Sequence, residues 1–282
     1  RSKEYTDTIC DTQRRLVRGK PVNAGDVPWQ ALLWRPLNVH FIGRELRADE
    51  RVLCGGSVIK TGWVLTAAHC LYDQGRPIFE EGGYTIRLGV HNPRLDEGTT
   101  YPIIKVYEHE DYDKSVYAYD IALIRYNPSQ GKRGEGAFHG IGRVAWDRVP
   151  VERRRITEGM PVYVFGWGWT RPTRGTSTAE LQTARLELSS PERCTEITGF
   201  VDQPWGGPKR ANAALCAAGR NGEQSCYGDS GGPLIYQGDG RPVVIGVVSS
   251  GRACGTAEER ESRYTRVAKV RDWIAHILET EP

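Results

Sequence analysis

The sequence lacks two features that would place it on a membrane or on nucleic acid. It has no run of about 18 consecutive apolar residues, so it predicts no membrane-spanning helix. Its net charge is only +3, and its basic residues are scattered apart from the cluster at 153–155. Nucleic-acid-binding proteins usually present a concentrated basic stripe. We therefore expect no membrane span and no nucleic-acid partner, and we interpret the cluster as part of a solvated linker.

The sequence also lacks any Cys-x-x-Cys pair, the common signature of a structural zinc site. It nevertheless contains seven cysteines, at positions 10, 54, 70, 194, 216, 226 and 254. Cysteines without zinc-ligand spacing favour disulfides, which persist in an oxidising compartment. The sequence alone does not fix their pairing, and the odd number leaves one cysteine over. We expect a secreted, periplasmic or otherwise extracellular protein.

Short apolar runs recur between turn-forming residues along most of the chain. Examples lie at 84–88, 103–106, 121–124, 162–165, 186–188 and 243–248. Such a pattern predicts an all-β barrel or sandwich. The end of the chain differs, because apolar residues there recur at helical spacing on one face. These residues predict a single C-terminal helix that packs on the core: Val267, Val270, Ile274, Ile277 and Leu278.

The segment 225–234 reads Ser-Cys-Tyr-Gly-Asp-Ser-Gly-Gly-Pro-Leu and surrounds Ser230 with glycines. A serine hydroxyl becomes a useful nucleophile when a neighbouring base takes its proton. The carbonyl that it attacks needs nearby N–H groups to stabilise the oxyanion. A glycine-rich turn can supply both donors, because glycine bends the backbone without a steric penalty. By itself, the segment also fits an ordinary tight turn.

A histidine and an aspartate elsewhere complete the pattern. His69 lies in Thr-Ala-Ala-His-Cys at 66–70, and Asp120 opens the apolar run Asp-Ile-Ala-Leu-Ile. Taken singly, such a histidine is usually structural and such an aspartate usually belongs to a turn. Together with Ser230 they follow one of the known chain orders of an acyl-transfer triad. The three motifs predict nucleophilic catalysis by serine.

Residues 16–278 resemble the trypsin/chymotrypsin family of serine proteases. The motifs that carry the resemblance include Pro-Trp-Gln at 28–30, Cys-Gly-Gly-Ser at 54–57, Gly-Trp-Gly at 166–168 and Tyr-Thr-Arg-Val at 264–267. The resemblance implies two six-stranded antiparallel barrels followed by a C-terminal α-helix. It divides the chain into a lead-in (1–15), a first barrel (16–130), a linker (131–155), a second barrel (156–265) and a helix (266–278).

The same resemblance implies a serine endopeptidase that acts on peptide or protein substrates. Ser230 would attack the scissile carbonyl, His69 would move the proton, and Asp120 would orient His69. The N–H groups of Gly228 and Ser230 would form the oxyanion hole. Ser249 stands where relatives place a hydroxyl that supports the aspartate. The fold also occurs in proteins that only bind, so a latent or non-catalytic homologue is the alternative.

The resemblance also implies three disulfides: Cys54–Cys70, Cys194–Cys216 and Cys226–Cys254. Cys10 then remains, either free or bonded to an upstream segment or to another chain. No cofactor is expected. Val90 stands where some relatives have a carboxylate ligand for calcium, and calcium prefers several oxygen ligands, so we expect no metal there.

An activation device is implied by the sequence Arg-Leu-Val-Arg-Gly at 15–19. Relatives are cut after a basic residue, and the new terminal ammonium pairs with the aspartate that precedes the nucleophile. Here the cut would follow Arg15, the new terminus would be Leu16, and the receiving carboxylate would be Asp229. Arg18 stands where relatives usually have glycine. Because breaking a buried ion pair is costly, such a pair can act as a switch.

Specificity depends on the pocket that receives the substrate side chain. Trypsin-like relatives place an aspartate six residues before the nucleophile, where this chain has Gln224. A glutamine lacks the charge that a buried guanidinium requires. We expect a polar, uncharged pocket lined by Gln224, Ser225, Ser249, Ser250, Gly251 and Ser262. The alternative is Arg/Lys specificity, because a glutamate of the segment 258–261 lies close enough in sequence to reach inward.

Overall fold

We describe a computed structural model of the chain. It describes residues 19–35, 40–41, 44–45, 52–95, 98–134, 142–147, 157–168, 179–198, 213–238, 241–251 and 261–281. In chain order the strands are β1 (Lys20–Pro21), β2 (Gln30–Trp34), β3 (His40–Phe41), β4 (Arg44–Glu45), β5 (Val52–Lys60), β6 (Trp63–Thr66), β7 (Tyr72–Asp73), β8 (Arg76–Pro77), β9 (Thr85–Leu88), β10 (Thr99–Glu108), β11 (Ala122–Tyr126), β12 (Lys132–Arg133), β13 (Pro161–Gly166), β14 (Gln182–Leu188), β15 (Ala214–Ala218), β16 (Pro233–Gly238), β17 (Arg241–Gly251) and β18 (Ser262–Arg266). The helices are α1 (Ile78–Glu81), α2 (Pro191–Thr198) and α3 (Val267–Thr280), with 3-10 turns at Ala68–Leu71 and Pro128–Gln130.

The strands form two closed antiparallel barrels of six strands each. In the first barrel the order is β11-β6-β5-β2-β9-β10, and β10 pairs back onto β11 to close it. In the second the order is β14-β13-β16-β17-β18-β15, and β15 pairs back onto β14. Closure leaves no unpaired edge along the main strands. The expected all-β class with two six-stranded barrels is confirmed.

Side-chain alternation explains why these segments are strands with one buried face. In β14 the buried positions are Gln182, Ala184, Leu186 and Leu188, and the residues between them are more exposed. Successive side chains of a strand point to opposite faces, so this period of two places every second residue inside the barrel. The buried apolar residues of both barrels belong to one connected core.

The C-terminal helix α3 is confirmed, with bounds at Val267–Thr280. Its buried residues are Val267, Val270, Ile274 and Leu278, which repeat every three or four positions. Ile277, the fifth member of the predicted stripe, is partly buried against the same core. Among the described residues no helix has both the length and the apolarity needed to cross a membrane.

A close backbone contact joins the two barrels where the turn after Ser230 meets β5. The N–H of Gly55 donates to the carbonyl of Ser230 at 2.7 Å. Gly231 has φ of +76°, and a Cβ there would collide with Thr66 Oγ1 and with the Gly55 carbonyl. Glycine is therefore required at 231 for both its backbone conformation and its lack of a side chain. This contact brings segments of both barrels to one place.

A long, charged segment of the sequence connects β2 to β5. Within it the structure describes a short antiparallel pair of strands, in which His40 pairs with Glu45 and Phe41 with Arg44. The base of the loop is held by Arg35, which donates to the Val52 carbonyl at 3.1 Å and to both carboxylate oxygens of Asp73. Because Asp73 follows the turn that carries His69, the loop is anchored beside the candidate site.

Candidate active site

Asp120 lies at the start of the run that becomes β11, and its carboxylate is fully buried. Three donors satisfy it. The N–H of His69 donates to Oδ1 at 2.8 Å, while His69 Nδ1 and the Ser249 hydroxyl lie 2.7 and 2.6 Å from Oδ2. A buried carboxylate needs such partners, because burial removes its hydration. Its two contacts with His69 fix the ring relative to the backbone of its own turn.

His69 lies on the 3-10 turn Ala68–Leu71 that follows β6. Its side chain is 22% exposed, so the ring edge opposite Asp120 remains accessible. The ring contacts Tyr117 edge-to-face, with centroids 5.7 Å apart, and Nε2 lies 3.7 Å from Cys70 Sγ. With Nδ1–H directed at Asp120, the tautomer that fits leaves the Nε2 lone pair available as a base.

The disulfide Cys54–Cys70 joins β5 to the turn that carries His69. His69 and these two cysteines are a cluster of potential metal ligands within the described part of the chain. The two sulfurs are bonded to each other, so neither is the thiolate that binds a metal. The cluster therefore braces His69 and does not form a metal site.

Ser230 lies in the turn between Gln224 and β16, partly exposed. Gly228 has φ of +94°, a backbone conformation that glycine adopts without strain. The N–H groups of Gly228 and Ser230 have no acceptor among the residues that the structure describes. The Ser230 hydroxyl likewise makes no hydrogen bond in that part of the chain. Catalytic hydrogen bonds are often long before substrate binds, so the absence of a Ser230–His69 bond does not exclude the pair.

Asp229 is fully buried beside Ser230. Its carboxylate accepts from the N–H of Gly168 at 2.9 Å and from the N–H of Cys226 at 2.8 Å. Burial raises its pKa from 3.8 to about 7, and the two N–H donors only partly oppose that effect. At neutral pH a carboxyl with such a pKa is only partly ionised, and a cation placed next to it would favour the ionised form.

The candidate pocket lies between the segment before Ser230 and β17–β18. Gln224 and Ser225 are buried, as is Ser262 on β18. The Tyr264 hydroxyl donates to Ser225 Oγ at 3.5 Å, and Ser262 contributes a further hydroxyl there. Burial raises the pKa of Tyr264, so the phenol stays neutral. The buried Ser250 hydroxyl has no partner in the described region.

Two described glutamates are sequence neighbours of pocket residues, and both carboxylates bind other partners. Glu223 accepts hydrogen bonds from the N–H and side-chain amide of Asn221, at 2.9 and 3.2 Å. Glu261 pairs with Arg193 of α2 at 2.9 Å. Neither supplies the carboxylate that Arg/Lys specificity would need. The other glutamates of the segment, Glu258 and Glu259, lie outside the described residues.

Comparison with known protein families identifies the family of this chain. The sequence model of the family described as Trypsin matches residues 16–274, nearly the whole chain. The chain belongs to the trypsin family.

Related proteins share the family but are longer than this trypsin-family chain. Proteins named transmembrane protease serine 7, from Mus musculus, Rattus norvegicus and Homo sapiens, are each 28% identical to it over 263 residues. The match covers 92% of this chain but 28%, 28% and 27% of those proteins, respectively. The chain thus spans little more than a quarter of the length of the relatives it matches.

Several predicted features of this trypsin-family chain fall outside the described residues: Cys10, Arg15, Leu16 and Cys254. Of the disulfides, Cys54–Cys70 and Cys194–Cys216 are present. Cys226 is also disulfide-bonded. These bonds fit an oxidising compartment.

Sequence reasoning assigned no role to two residues that the structure places at the site. Thr265 donates to the carbonyl of Asp120 at 2.7 Å, and Tyr264 supplies the phenol of the pocket. Both belong to the motif Tyr-Thr-Arg-Val at 264–267, which carried part of the family resemblance. Neighbouring residues of a strand point to opposite faces, so Tyr264 faces the pocket while Thr265 faces Asp120. Recognising the motif as a strand could have predicted these two roles.

Proposed function

We propose that this chain is a serine endopeptidase that uses Ser230, His69 and Asp120. The observation that carries the proposal is the buried Asp120 carboxylate, held by three donors and 2.7 Å from His69 Nδ1. This arrangement fits a histidine that must keep one tautomer and become transiently charged. The glycine-rich turn of Ser230 would supply the nucleophilic hydroxyl and the two N–H donors of the oxyanion hole.

In the first half of the reaction, Ser230 Oγ attacks the carbonyl carbon of the scissile peptide bond. His69 Nε2 takes the hydroxyl proton, and Asp120 stabilises the imidazolium that results. The N–H groups of Gly228 and Ser230 donate to the oxyanion, which is the largest electrostatic contribution in such sites. Collapse breaks the C–N bond, and Nε2 gives its proton to the leaving amine. The product is an ester between Ser230 and the substrate's acyl part.

In the second half, water replaces the amine. His69 Nε2 takes a proton from water, and the resulting hydroxide attacks the ester carbonyl. The same two N–H groups hold the second oxyanion. When the ester bond breaks, Nε2 returns the proton to Ser230 Oγ, and the peptide leaves with a new carboxylate. Overall one water is consumed, and the enzyme is unchanged.

We further propose that the chain is a zymogen activated by cleavage after Arg15. What supports this is Asp229, whose pKa is raised to about 7 by burial, so that it is ready to receive a cation. The Leu16 ammonium would supply that cation. Because Asp229 adjoins Ser230 and follows Gly228, its orientation controls the N–H donors of the oxyanion hole.

A fluorophosphonate probe tests both proposals, because it reacts only with an activated serine. Cleavage at Arg15 by an immobilised arginine-specific protease, verified by N-terminal sequencing at Leu16, should produce strong labelling of Ser230. Ser230→Ala should remain unlabelled after the same treatment. Equal labelling before cleavage would contradict the zymogen proposal. If neither form is labelled, the chain is a non-catalytic binding protein.

For the substrate, we propose a preference for polar, uncharged side chains before the scissile bond. The proposal is supported by the neutral groups Gln224, Ser225, Ser262 and Tyr264, and by the Ser250 hydroxyl, which has no hydrogen-bond partner among the described residues. A substrate guanidinium would lose its hydration there without gaining a charged partner. A side chain with its own donors and acceptors would satisfy these hydroxyls.

Cleavage of a peptide library should therefore show little preference for Arg or Lys. Gln224→Asp should raise kcat/KM for Arg and Lys substrates at least about tenfold, since a buried carboxylate pairs with the cation. Gln224→Asn is the matched control, because it shortens the side chain without adding charge. Overwhelming cleavage after Arg or Lys by the unmodified enzyme would show that a carboxylate outside the described residues reaches the pocket.

The disulfides support action outside the cytosol, and we propose that the protein is secreted or periplasmic. We also propose that Cys10 tethers the lead-in to an upstream segment or to another chain, since the family resemblance pairs the other six cysteines with one another. Mass spectrometry of unreduced peptides would identify that partner.

A further inference from the structure

The backbone just before Asp120 adopts an unusual conformation. Tyr117 and Tyr119 have φ of +53° and +48°, in the left-handed region that bulky residues rarely occupy. The N–H of Ile121 then donates to the carbonyl of Tyr119 at 2.7 Å, which places Asp120 at the centre of a tight turn. The direction in which the Asp120 side chain leaves the backbone therefore depends on how Tyr119 is held.

A stack of three rings holds Tyr119. Its ring lies nearly parallel to that of His109, with centroids 5.1 Å apart and planes at 16°. The ring of Trp273 on α3 also packs on His109, with centroids 5.0 Å apart and planes tilted by 43°. Such stacking contributes more than the burial of ring area alone. The set of Tyr119, His109 and Trp273, here called the aromatic stack, links the segment before Asp120 to the C-terminal helix.

His109 contacts the chain on both sides of Asp120. Its ring stacks on the residue before Asp120, and its backbone N–H donates to the carbonyl of Ile121, the residue after, at 3.2 Å. His109 itself is fixed, because Nδ1 accepts from the N–H of Asp111 at 3.2 Å. Burial lowers the pKa of His109, against the opposing effect of Glu110 and Asp111, so the ring that stacks is neutral.

We propose that the aromatic stack consists of positioning residues that hold the Asp120 carboxylate against His69. This inference rests on the proposed protease function. No described contact joins the rings of the stack to Ser230, Gln224 or Ser225, although Tyr119 lines a small cavity together with Ser249 and Tyr264. The effect of the stack on the reaction passes through the backbone of the Asp120 turn. Loss of the stack should therefore reduce the rate of the chemical step and leave substrate affinity nearly unchanged.

Two substitutions of Tyr119 separate the ring from the backbone. Tyr119→Asn removes the ring but keeps a residue that tolerates positive φ, whereas Tyr119→Phe keeps the ring and loses only the hydroxyl. We expect Tyr119→Asn to lower kcat by about tenfold to a hundredfold with KM within about twofold, because small misplacements of catalytic groups are costly. Tyr119→Phe should keep kcat within about twofold of the unmodified enzyme.

The far end of the stack provides a second test at a site remote from the cleft. Trp273→Leu should also lower kcat. Trp273→Phe keeps an aromatic ring and should retain most of the kcat of the unmodified enzyme. Thermal melting of each variant identifies the temperature range in which it is folded, and kinetics are measured within that range. If Tyr119→Asn and Trp273→Leu both have unchanged kcat, the positioning role is wrong. The positioning role is also wrong if the variants raise KM without lowering kcat, or if Tyr119→Phe is as slow as Tyr119→Asn.

The unmodified enzyme distinguishes this failure from failure of the proposed function. If the unmodified enzyme hydrolyses peptides and is labelled at Ser230, and the stack variants have the same kcat, only the positioning role is wrong. If it shows neither hydrolysis nor labelling after cleavage at Arg15, the protease function falls and the positioning role falls with it.

Discussion

Replacing Ser230 by alanine is expected to lower kcat for peptide hydrolysis by about 10⁶-fold, as in other serine proteases with the same three groups. The hydroxyl is the attacking atom, and no other described side chain is placed to replace it. His69→Ala should cost about as much, because the serine loses its base. The measurement is hydrolysis of a peptide substrate after cleavage at Arg15. Ser129→Ala, which alters an exposed serine far from the turn, is the control and should keep full activity.

The double variant Ser230→Ala/His69→Ala sharpens this prediction. The two groups act as a unit, so the double variant should be no slower than either single variant within about threefold. Asp120→Asn should cost about 10⁴-fold, because an amide presents the wrong donor and acceptor pattern to His69 Nδ1. Substantial hydrolysis by Ser230→Ala would mean that another nucleophile acts. Additive losses would mean that His69 and Ser230 contribute to activity separately.

Asp229→Asn is expected to lower kcat/KM of the cleaved enzyme by about 10² to 10³-fold, although Asp229 makes no contact with substrate. An amide cannot pair with the Leu16 ammonium, so the turn that presents the N–H groups of Gly228 and Ser230 loses its anchor. Removal of one oxyanion donor has an effect of about that size. Arg15→Gln, which blocks the cut, should produce the same loss in a chain whose Asp229 is intact. Full activity of the cleaved Asp229→Asn enzyme would contradict the switch.

The pH dependence of stability provides an independent measurement of the Asp229 carboxyl. In the uncut chain its pKa of about 7 exceeds the ordinary value of 3.8, so between these values the folded state holds a proton that the unfolded state has lost. The resulting stabilisation is complete below pH 3.8 and disappears as the pH rises through 7. At about 1.4 kcal/mol per pH unit, the loss amounts to about 4 kcal/mol.

Denaturant unfolding of the uncleavable Arg15→Gln chain across this range should therefore show falling stability. The matched chain Arg15→Gln/Asp229→Asn lacks the titrating group and should fall by about 4 kcal/mol less, because all other groups are shared. In the cleaved protein the Leu16 ammonium would stabilise the carboxylate and remove the decline. Parallel curves for the two uncleavable chains would show that Asp229 does not titrate in this range.

The motifs around His69, Asp120 and Ser230, together with those at 28–30, 54–57, 166–168 and 264–267, carried the family resemblance, and the resemblance implied the two barrels. The residues alone predicted an all-β barrel or sandwich and a C-terminal helix, because strand alternation, turn residues and helical spacing are local properties. The pocket was less accessible to such reasoning. Gln224 and Ser225 are far in sequence from Ser262 and Tyr264 on β18, and only the folded barrel brings the Tyr264 phenol against Ser225.

The sequence by itself determined which groups are available for chemistry: a serine, a histidine, an aspartate and cysteines for disulfides. The tertiary structure decided how they are held. The three donors on Asp120 come from the His69 turn and β17, and Thr265 of β18 holds its carbonyl. The raised pKa of Asp229 and the ring stack on His109 likewise require burial by distant segments. Loss of hydration and ring contact both require residues that are distant in sequence to lie close together, which happens only when the barrels fold and pack.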